Sequence, residues 1–333
     1  SLACCRRRLL MALPIAILGV GLAGISAARA LIARGHAVTI FDKGRGPGGR
    51  LATRRIEAAG RKLQFDHGAQ YLRAESADFA AALAKAGTAP WPDAARRVGV
   101  PSMSSVPRGL LGEIPCIGAR HVGQITGRPG AWMLRHWDAR LVRPSKPLPD
   151  SAPEEAGPFA AVLLTMPATQ AREVLGQNAP GLHEALAAIR YAPCWTVMAS
   201  FDTRLPLPET LRPEAHAIGW AARDSAKPGR DALQENWVIQ SAPAWTRAHL
   251  ELPAEDIAQP LLAALVSFSA APLPAPFMAV AHRWRYSLLE APLGEPCLWD
   301  DTARIGYASD GCIGGRAEAA WQSGAALAAR VLA

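Results

Sequence analysis

Apolar residues near the start of the chain follow a strand–helix–strand pattern. Residues 15–19 form a short apolar run bounded by glycine, which predicts a buried strand. Residues 24–34 are rich in Ala and Leu and stop before Gly35, a residue that commonly ends helices. Residues 37–42 form a second apolar run. Together they predict a βαβ unit with two parallel strands and a right-handed crossover.

The same criteria predict alternating strands and helices further along the chain. Helices are expected at 76–86, 254–270 and 315–332. Strands are expected at 160–165, 193–202, 237–241, 279–286 and 303–308. The stretches 43–50, 90–107 and 142–158 are predicted to be loops or irregular, and 118–135 to be short strands with turns. This alternation predicts the α/β fold class.

Composition narrows the class of protein. The chain has 333 residues, 50% of them hydrophobic and 19% charged, which suits a globular protein of about two domains. Its net charge of +8 is spread along the chain without a nucleic-acid motif. A solvated basic surface or a site for an anionic nucleotide or diphosphate would explain this charge, and we expect no nucleic-acid partner. The six cysteines form no C-x-x-C pair and do not cluster with histidine. We therefore expect neither a metal site nor a disulfide framework, and a reducing, cytoplasmic location.

The N-terminus resembles an export signal. Arg6, Arg7 and Arg8 precede an apolar stretch that reaches Ala30, and a signal peptide or a marginal membrane span would have this form. The glycine pattern inside the stretch favours a cofactor-binding βαβ unit instead, and cleavage after Ala30 would destroy it. We expect residues 1–10 to be a non-native or disordered extension, and no membrane association.

A glycine motif lies between the first strand and the first helix. It reads Gly19-Val20-Gly21-Leu22-Ala23-Gly24, and Asp42 ends the second strand 23 residues after Gly19. The first glycine allows a tight turn, the second lets the backbone approach a pyrophosphate, and the third lets helix and strand pack closely. The helix N-terminus attracts phosphate, and an acid at the end of the second strand accepts hydrogen bonds from ribose. The motif predicts a dinucleotide site; a chance glycine turn is the alternative.

A basic, glycine-rich loop follows. Lys43, Arg45 and Arg50 bring three positive charges to the expected pyrophosphate, and Gly48-Gly49-Arg50 ends the loop. A flexible solvated loop would have the same composition. In combination with the glycine motif, the G-G-R sequence resembles the FAD proteins of the amine oxidase and glutathione reductase type.

Four later segments extend this resemblance. They are 65–72 (FDHGAQYL), 102–106 (SMSSV), 164–167 (LTMP) and 310–321 (DGCIGGRAEAAW). In this order they resemble renalase and the renalase-like bacterial FAD oxidoreductases. The resemblance implies a Rossmann-like FAD-binding domain with a second domain of antiparallel sheet plus helices that binds substrate. It assigns 11–75, 101–180 and 276–333 to the FAD-binding domain and 76–100 and 181–275 to the substrate domain.

The resemblance also implies how FAD, bound non-covalently, is contacted. The segment around Gly68 lies against the flavin ring, and Asp310 meets the ribityl chain or the diphosphate. The backbone of Val122 meets the adenine. The last helix begins near Gly314 or Gly315 and points its N-terminus at the flavin, where it stabilises negative charge. The residues expected at the cofactor are Gly19, Gly21, Leu22, Ala23, Gly24, Asp42, Lys43, Arg45, Gly49, Arg50, Gly68, Ala69, Gln70, Val122, Asp310, Gly315, Arg316, Glu318 and Ala319.

Aromatic residues supply the candidate substrate pocket. His282, Trp284 and Tyr286 alternate along one predicted strand and so share a face, while Arg283 and Arg285 take the other. A flat aromatic pocket suits a flat substrate, although the same residues could simply fill a core. Tyr71 and Trp284 are the primary candidates. The secondary candidates are His67, His249 and Gln240.

The resemblance implies oxidation of isomeric dihydro forms of NAD(P), with electrons passed to O2 to give H2O2. A dihydropyridine gains aromaticity on losing hydride, so no strong general base is needed. One alternative is an amine oxidase or a desaturase-type flavoenzyme. Another, of a different class, is a flavin-binding redox sensor without turnover.

Overall fold

A computed structural model describes residues 13–143 and 146–333 of the chain. The expected extension at residues 1–10 lies outside the described residues. The chain divides into two compact units. Unit 1 comprises the described residues of Ser1–Gly49 together with Leu111–Arg190 and Ala291–Ala333, and unit 2 comprises Arg50–Leu110 and Tyr191–Glu290.

The described residues form the following elements. The strands are β1 (Ile15–Leu18), β2 (Val38–Phe41), β3 (Thr53–Ala58), β4 (Arg61–Asp66), β5 (Thr88–Pro90), β6 (Arg97–Gly99), β7 (Cys116–Ile117), β8 (Arg120–Arg128), β9 (Ala131–Asp138), β10 (Glu154–Phe159), β11 (Ala161–Leu164), β12 (Arg190–Phe201), β13 (Thr210–Leu211), β14 (Ile218–Arg223), β15 (Glu235–Ser241), β16 (Met278–Ala291), β17 (Leu298–Asp300) and β18 (Ile305–Tyr307). The α-helices are α1 (Leu22–Ile32), α2 (Ala77–Lys85), α3 (Ser105–Leu111), α4 (Ala168–Leu175), α5 (Pro180–Ala185), α6 (Pro243–Ala248), α7 (Ala258–Val266), α8 (Asp310–Ile313) and α9 (Ala317–Leu332). Short 3-10 helices include Gly49–Leu51, Asp224–Ala226 and Ala254–Asp256.

Unit 1 is built on a sheet in the order β17-β18-β11-β1-β2-β7. Strand β1 pairs in parallel with β2, where Ile15 lies beside Val38, and in parallel with β11, where Ile15 lies beside Ala161. All four residues of β1 are buried, as expected for a central parallel strand covered on both faces. The predicted βαβ unit is therefore present, and α1 connects its two strands.

Helix α9 packs against α1 at close range. A Cβ on Gly324 would collide with the carbonyl oxygen of Ala23, so only glycine permits this approach. An antiparallel sheet, β10-β9-β8, completes the unit, and Trp132 of β9 donates its indole N–H to the carbonyl of Ala303 at 2.8 Å. The chain's last helix is thus fixed directly onto the helix that follows the glycine turn.

Unit 2 contains an antiparallel sheet in the order β13-β14-β15-β12-β16 and the hairpins β3-β4 and β5-β6. Its core includes the buried side chains of Trp195 and Trp237, packed with Leu261 and Leu265 of α7. The α/β fold class, with a Rossmann-like domain and antiparallel sheets plus helices, is confirmed.

The boundaries of the two units differ from the domain boundaries expected from the sequence. Residues 50–75, expected in the first domain, belong to unit 2, as do 101–110 and 276–290, whereas 181–190 belong to unit 1. Hydrogen bonding explains part of the difference, because residues 66–72 bond to Arg50 and to elements of unit 2. The functional assignment of the two domains stays a prediction.

Three local predictions were wrong. Residues 90–107 are not irregular, since β6 pairs with β5 and α3 begins at Ser105. Part of the predicted loop 142–158 is the strand β10, whose polar sequence reflects an edge position. The predicted helix 254–270 is shorter: α7 spans Ala258–Val266, with Pro260 in the first turn, where a missing N–H costs little.

Candidate functional site

The glycine turn after β1 shows three different reasons for glycine. Gly19 has a φ of +113°, and a Cβ there would lie 2.9 Å from the hydroxyl of Thr165. A Cβ on Gly24 would collide with the carbonyl oxygen of Gly19. Gly21 differs: its φ of −77° suits any residue, and, its chain neighbours apart, no atom of the described residues lies within 4 Å of a Cβ built on it. The protein itself requires the first and third glycines, whereas the space at the second is left open.

This open space adjoins the N-terminus of α1. Gly21 is the N-cap residue of that helix and supplies no side-chain hydrogen bond to it. The first turn, with Leu22, Ala23 and Gly24, thus presents backbone N–H groups and the positive end of the helix dipole. An anion that approaches the backbone closely fits both features.

Asp42, which follows β2, links the turn to the next loop. Its carboxylate accepts hydrogen bonds from the N–H of Val20 at 2.8 Å and of Gly44 at 2.6 Å. Burial raises the pKa of Asp42, although both hydrogen bonds oppose the change. A carboxylate has about four acceptor positions, so this group can still accept hydrogen bonds from ribose hydroxyls.

The basic loop is split between the two units. Lys43, Arg45 and Gly49 are exposed in unit 1, and Gly48 donates to the carbonyl of Val20 at 3.1 Å. Arg50 belongs to unit 2, where it donates to the carbonyl of Ser287 at 3.1 Å. The loop therefore returns to the glycine turn with two cations exposed, while Arg50 is held inside the other unit.

Val122, whose backbone is expected to meet the adenine, lies near the start of β8. Val122 is buried and lies opposite His136 of β9, and the register shifts between Val122 and Gln124. Strands β8 and β9 therefore pair as a hairpin around Val122. The adenine contact itself stays a prediction.

The C-terminal segment forms two helices rather than one. Ser309 caps α8 by accepting from the N–H of Gly311 at 2.9 Å, and Asp310 is buried. The predicted start of the last helix near Gly314 or Gly315 was wrong by two to three residues: α9 begins at Ala317, because Gly314 is extended. Its N-cap, Arg316, makes no side-chain capping bond, and the first turn contains Ala319 and the buried Glu318. The positive end of the helix dipole favours a negative charge at this position.

In unit 2, the segment after β4 is held by hydrogen bonds at nearly every residue. A Cβ on Gly68 would collide with the carbonyl of Arg50, and the N–H of Ala69 donates to that carbonyl at 2.8 Å. Trp284 donates to the carbonyl of His67 at 3.0 Å. Gln240 donates to the carbonyl of Gly68 at 2.7 Å. Gly68 and Ala69 remain half-exposed, so their backbone is what a ligand would meet.

Gln70 acts inside this segment. Its carboxamide donates to the carbonyls of Asp66 at 2.6 Å and Gly68 at 3.0 Å, and its oxygen accepts from Lys227 at 3.3 Å. Only 6% of the residue is exposed. Its side chain therefore holds the segment in shape, and contact of Gln70 with a cofactor stays a prediction.

The two primary pocket candidates have different aromatic partners. The ring of Trp284 lies 5.0 Å from that of His67 and 4.6 Å from that of His282. Tyr71 instead lies 5.7 Å from Trp220, and the guanidinium of Arg96 is 4.8 Å from its ring.

The predicted alternation along β16 is confirmed, because Arg283 and Arg285 both pair with Glu251. Among the secondary candidates, His249 stacks on Trp245 at 3.9 Å.

His67, His282 and Trp284 form an uncharged aromatic cluster at neutral pH. Burial, the neighbouring His282 and Arg54 lower the pKa of His67 to about 4. Burial and Arg54 lower the pKa of His282 to about 4 as well. Both imidazoles are therefore neutral above pH 5, so the cluster offers flat aromatic faces and carries no formal charge of its own.

Acidification should destabilise unit 2 through these histidines. Between pH 6.5, the ordinary pKa of histidine, and pH 4, the unfolded chain binds more protons than the folded chain, so stability falls as the pH falls. For His67 the loss between pH 7 and pH 5 is about 2 kcal/mol. Urea unfolding at both pH values should show a smaller loss in His67→Asn than in the wild type. An equal loss in both proteins would contradict the assignment.

The sequence analysis missed a buried charge cluster in unit 2, formed by Asp66, Asp224, Lys227 and Arg230. Each side chain is at most 1% exposed. Burial alone would raise the pKa of Asp66, but Lys227 and Arg230 outweigh it and lower this pKa to about 2. No signal in the sequence pairs Asp66 with residues about 160 positions away, and 223–230 has the composition of an ordinary polar turn.

Within 13–143 and 146–333, no group of three or more His, Cys, Asp or Glu side chains is arranged to hold a metal ion. Across the same residues, no helix has the length and apolar character needed to cross a membrane.

Comparisons with known proteins agree with this fold. Residues 17–86 match the family model of the NAD(P)-binding Rossmann-like domain. Putrescine oxidase bound to putrescine is 12% identical, with a TM-score of 0.71 over 96% of this chain and 99% of that one. A double mutant of putrescine oxidase from a redesign of cofactor binding is 13% identical, with a TM-score of 0.70 over 96% of this chain and 99% of that one.

A third solved structure is a protein from Exiguobacterium sp. 255-15, provisionally described as a protoporphyrinogen oxidase. It is 12% identical, with a TM-score of 0.66 over 96% of this chain and 98% of that one. At these identities the likeness establishes a shared fold.

Proposed function

We propose that this chain is an FAD-dependent oxidoreductase that oxidises a small planar substrate by hydride transfer. The observation that carries the proposal is the open space at Gly21, where neither the backbone conformation nor a protein atom requires glycine. A ligand that approaches the backbone does require it, and the uncapped start of α1 favours a negatively charged one. A diphosphate has that charge.

The residues present fit FAD. The turn from Gly19 to Gly24 would hold the diphosphate, and Asp42 would accept hydrogen bonds from ribose. Lys43 and Arg45 would neutralise the phosphates, and the resemblance adds Arg50, whose guanidinium donates to the carbonyl of Ser287. The remaining cofactor contacts, all carried over from the resemblance, are Gly49, Gly68, Ala69, Gln70, Val122, Asp310, Gly315, Arg316, Glu318 and Ala319.

FAD would be bound non-covalently. Cys312 is the cysteine in the segment that the resemblance assigns to the flavin, and it is fully buried. Burial raises the pKa of its thiol to about 11. Because the thiolate is the reactive form, this cysteine is a poor nucleophile at neutral pH.

The substrate we propose is an isomeric dihydro-NAD(P). Bound FAD would supply the two-electron acceptor, with O2 as terminal oxidant, so that dihydro-NAD(P), O2 and a proton give NAD(P)+ and H2O2. The substrate gains aromaticity as hydride leaves, so the protein's task is to position the ring and exclude water. Trp284, in its neutral cluster with His67 and His282, would contact the ring, and Tyr71 is a second candidate. The cytoplasmic location inferred from the sequence belongs to the same proposal.

An amine oxidase is the second candidate, because putrescine oxidase shares the fold and was solved with putrescine bound. Putrescine carries positive charge, and the cluster of His67, His282 and Trp284 supplies no negative charge to pair with it. A desaturase-type enzyme and a redox sensor without turnover remain further alternatives. The sensor would bind flavin but release no H2O2 with any of these substrates.

Denaturing the purified protein tests the cofactor assignment. The protein should be yellow, and acid should release intact FAD into the supernatant, where chromatography separates it from FMN and NAD. Flavin that stays with the precipitated protein would contradict non-covalent binding. A colourless protein that takes up no added FAD would contradict the proposal as a whole.

Replacing Asp42 should weaken FAD binding without abolishing it. Asp42→Ala removes hydrogen bonds to a charged group, each worth about 1.5–3 kcal/mol, so the Kd for FAD should rise about 10- to 150-fold. Fluorescence titration of the protein stripped of flavin measures this, and Asp202→Ala, directly after β12 in unit 2, serves as the control. An unchanged Kd in Asp42→Ala would remove Asp42 from the site.

A further inference from the structure

Lys227 is buried completely and uses all three of its ammonium protons within unit 2. Its Nζ lies 2.6 Å from the carboxylate of Asp224, 3.4 Å from that of Asp66 and 3.3 Å from the carboxamide oxygen of Gln70. With a side chain that is 0% exposed, it reaches no external ligand. Any influence on a ligand therefore passes through these three partners or through Trp91, whose ring centroid lies 5.2 Å from Nζ.

Of the three partners, Gln70 contacts the half-exposed part of the segment, because its carboxamide donates to the carbonyl of Gly68. The ammonium accepts no hydrogen bond, so it can face only the oxygen of the carboxamide and never its NH2 group. That contact fixes which way the amide points. The NH2 group is then directed at the carbonyls of Asp66 and Gly68, at 2.6 and 3.0 Å. Without the cation, the carboxamide oxygen loses this buried partner, and the amide is held from its NH2 side alone.

The segment 66–70 depends on such bonds because it is neither helix nor strand beyond Asp66. Trp284 and Gln240 hold two of its carbonyls from β16 and β15. Asp66 is held in turn: its N–H donates to Asp224 at 3.2 Å, and its carboxylate accepts from the N–H of Met103 at 3.0 Å. Lys227 thus holds the oxygen side of the Gln70 carboxamide, whose NH2 side holds two carbonyls of the segment.

We propose that Lys227 is a positioning residue for the cofactor: it orients Gln70 and thereby fixes the backbone of Gly68 and Ala69 that contacts the flavin. This inference rests on the proposed function, in which that backbone meets the flavin. The charge cluster would otherwise serve stability alone. If Lys227 positions the segment, disturbing Gln70 changes the binding of flavin. If the cluster only stabilises the fold, disturbing Gln70 leaves flavin binding unchanged.

A double-mutant cycle distinguishes the positioning role of Lys227 from a purely stabilising one. Lys227→Met with Asp224→Asn removes one positive and one negative charge together, which leaves Asp66 paired with Arg230. Gln70→Leu removes the carboxamide. The readouts are the Kd for FAD and the visible absorption band of the bound flavin, with urea unfolding measured alongside.

Each change should weaken FAD binding about 10-fold and shift the flavin band in the same way. Because both act through one amide, the triple variant should also lose about 10-fold and not about 100-fold. Losses that multiply to about 100-fold would overturn the inference, as would a lower free energy of unfolding with an unchanged Kd and spectrum. A wild-type protein that binds no FAD would overturn the proposed function and this inference with it.

Gln70→Glu gives a second test that leaves the charge cluster intact. Glutamate pairs with Lys227 but cannot donate to the carbonyls of Asp66 and Gly68. It should therefore lose FAD affinity as Gln70→Leu does, even though it adds an ion pair. Wild-type affinity in Gln70→Glu would show that the orientation of the amide does not matter.

Discussion

Gly21→Val should abolish FAD binding and leave the fold in place. The new side chain occupies the space that the diphosphate needs, so at least two hydrogen bonds to a charged group are lost, which corresponds to a loss of more than about 100-fold in affinity. The backbone of Gly21 suits valine, and replacing glycine at an N-cap costs about 1 kcal/mol. Flavin absorbance per protein and urea unfolding measure the two quantities separately.

Gly24→Ala is the matched control in the same turn. Its Cβ would collide with the carbonyl oxygen of Gly19, a protein atom, so here the free energy of unfolding should fall. The two substitutions thus separate a glycine kept for the ligand from a glycine kept for the fold. Normal flavin content in Gly21→Val would remove the diphosphate from this turn and, with it, the main support for the proposed function.

Asp66→Ala should lower the free energy of unfolding by about 3–5 kcal/mol, the usual cost of leaving a buried charge without its partner. Asp66 accepts from Arg230 and Lys227, and also from the hydroxyl of Thr53 at 2.7 Å and the N–H of Met103. Its loss leaves two buried cations with Asp224 as their remaining carboxylate within the cluster. Urea unfolding at pH 7 measures the effect.

The exposed pair of Arg61 and Asp202 provides the comparison. Their side chains are 50% and 64% exposed and 2.9 Å apart, so Asp202→Ala should cost less than about 1 kcal/mol. If both substitutions cost the same, the buried cluster contributes no more than a surface ion pair. The cluster would then be too weak to hold the segment after β4 in place.

The sequence predicted the βαβ unit because local signals there agree. The apolar run, the glycine spacing and the acid at position 42 all act over short distances, and the structure reproduces them in β1, α1 and β2. The edge strand β10 gave no signal, because one partner strand and a solvated face leave it polar. The hairpin of β5 and β6 is too short for a periodic pattern to emerge.

The site in unit 2 was only partly predictable. The segment at 65–72 stood out, and Trp284 was selected for its place on an aromatic strand face. Two further residues that hold the segment, Lys227 and Asp224, lie about 160 residues away and share no motif with it. Such pairing arises from tertiary packing, and a single sequence carries no local trace of it.

Anaerobic mixing tests the central claim most directly. The yellow protein is mixed without O2 with an isomeric dihydronicotinamide dinucleotide and, separately, with putrescine, while the flavin absorbance is followed. The dihydronicotinamide should bleach the flavin at one equivalent, and air should restore the colour with release of one H2O2 per substrate oxidised. Putrescine should leave the absorbance unchanged. Bleaching by putrescine alone, or by neither compound, would contradict the proposed reaction.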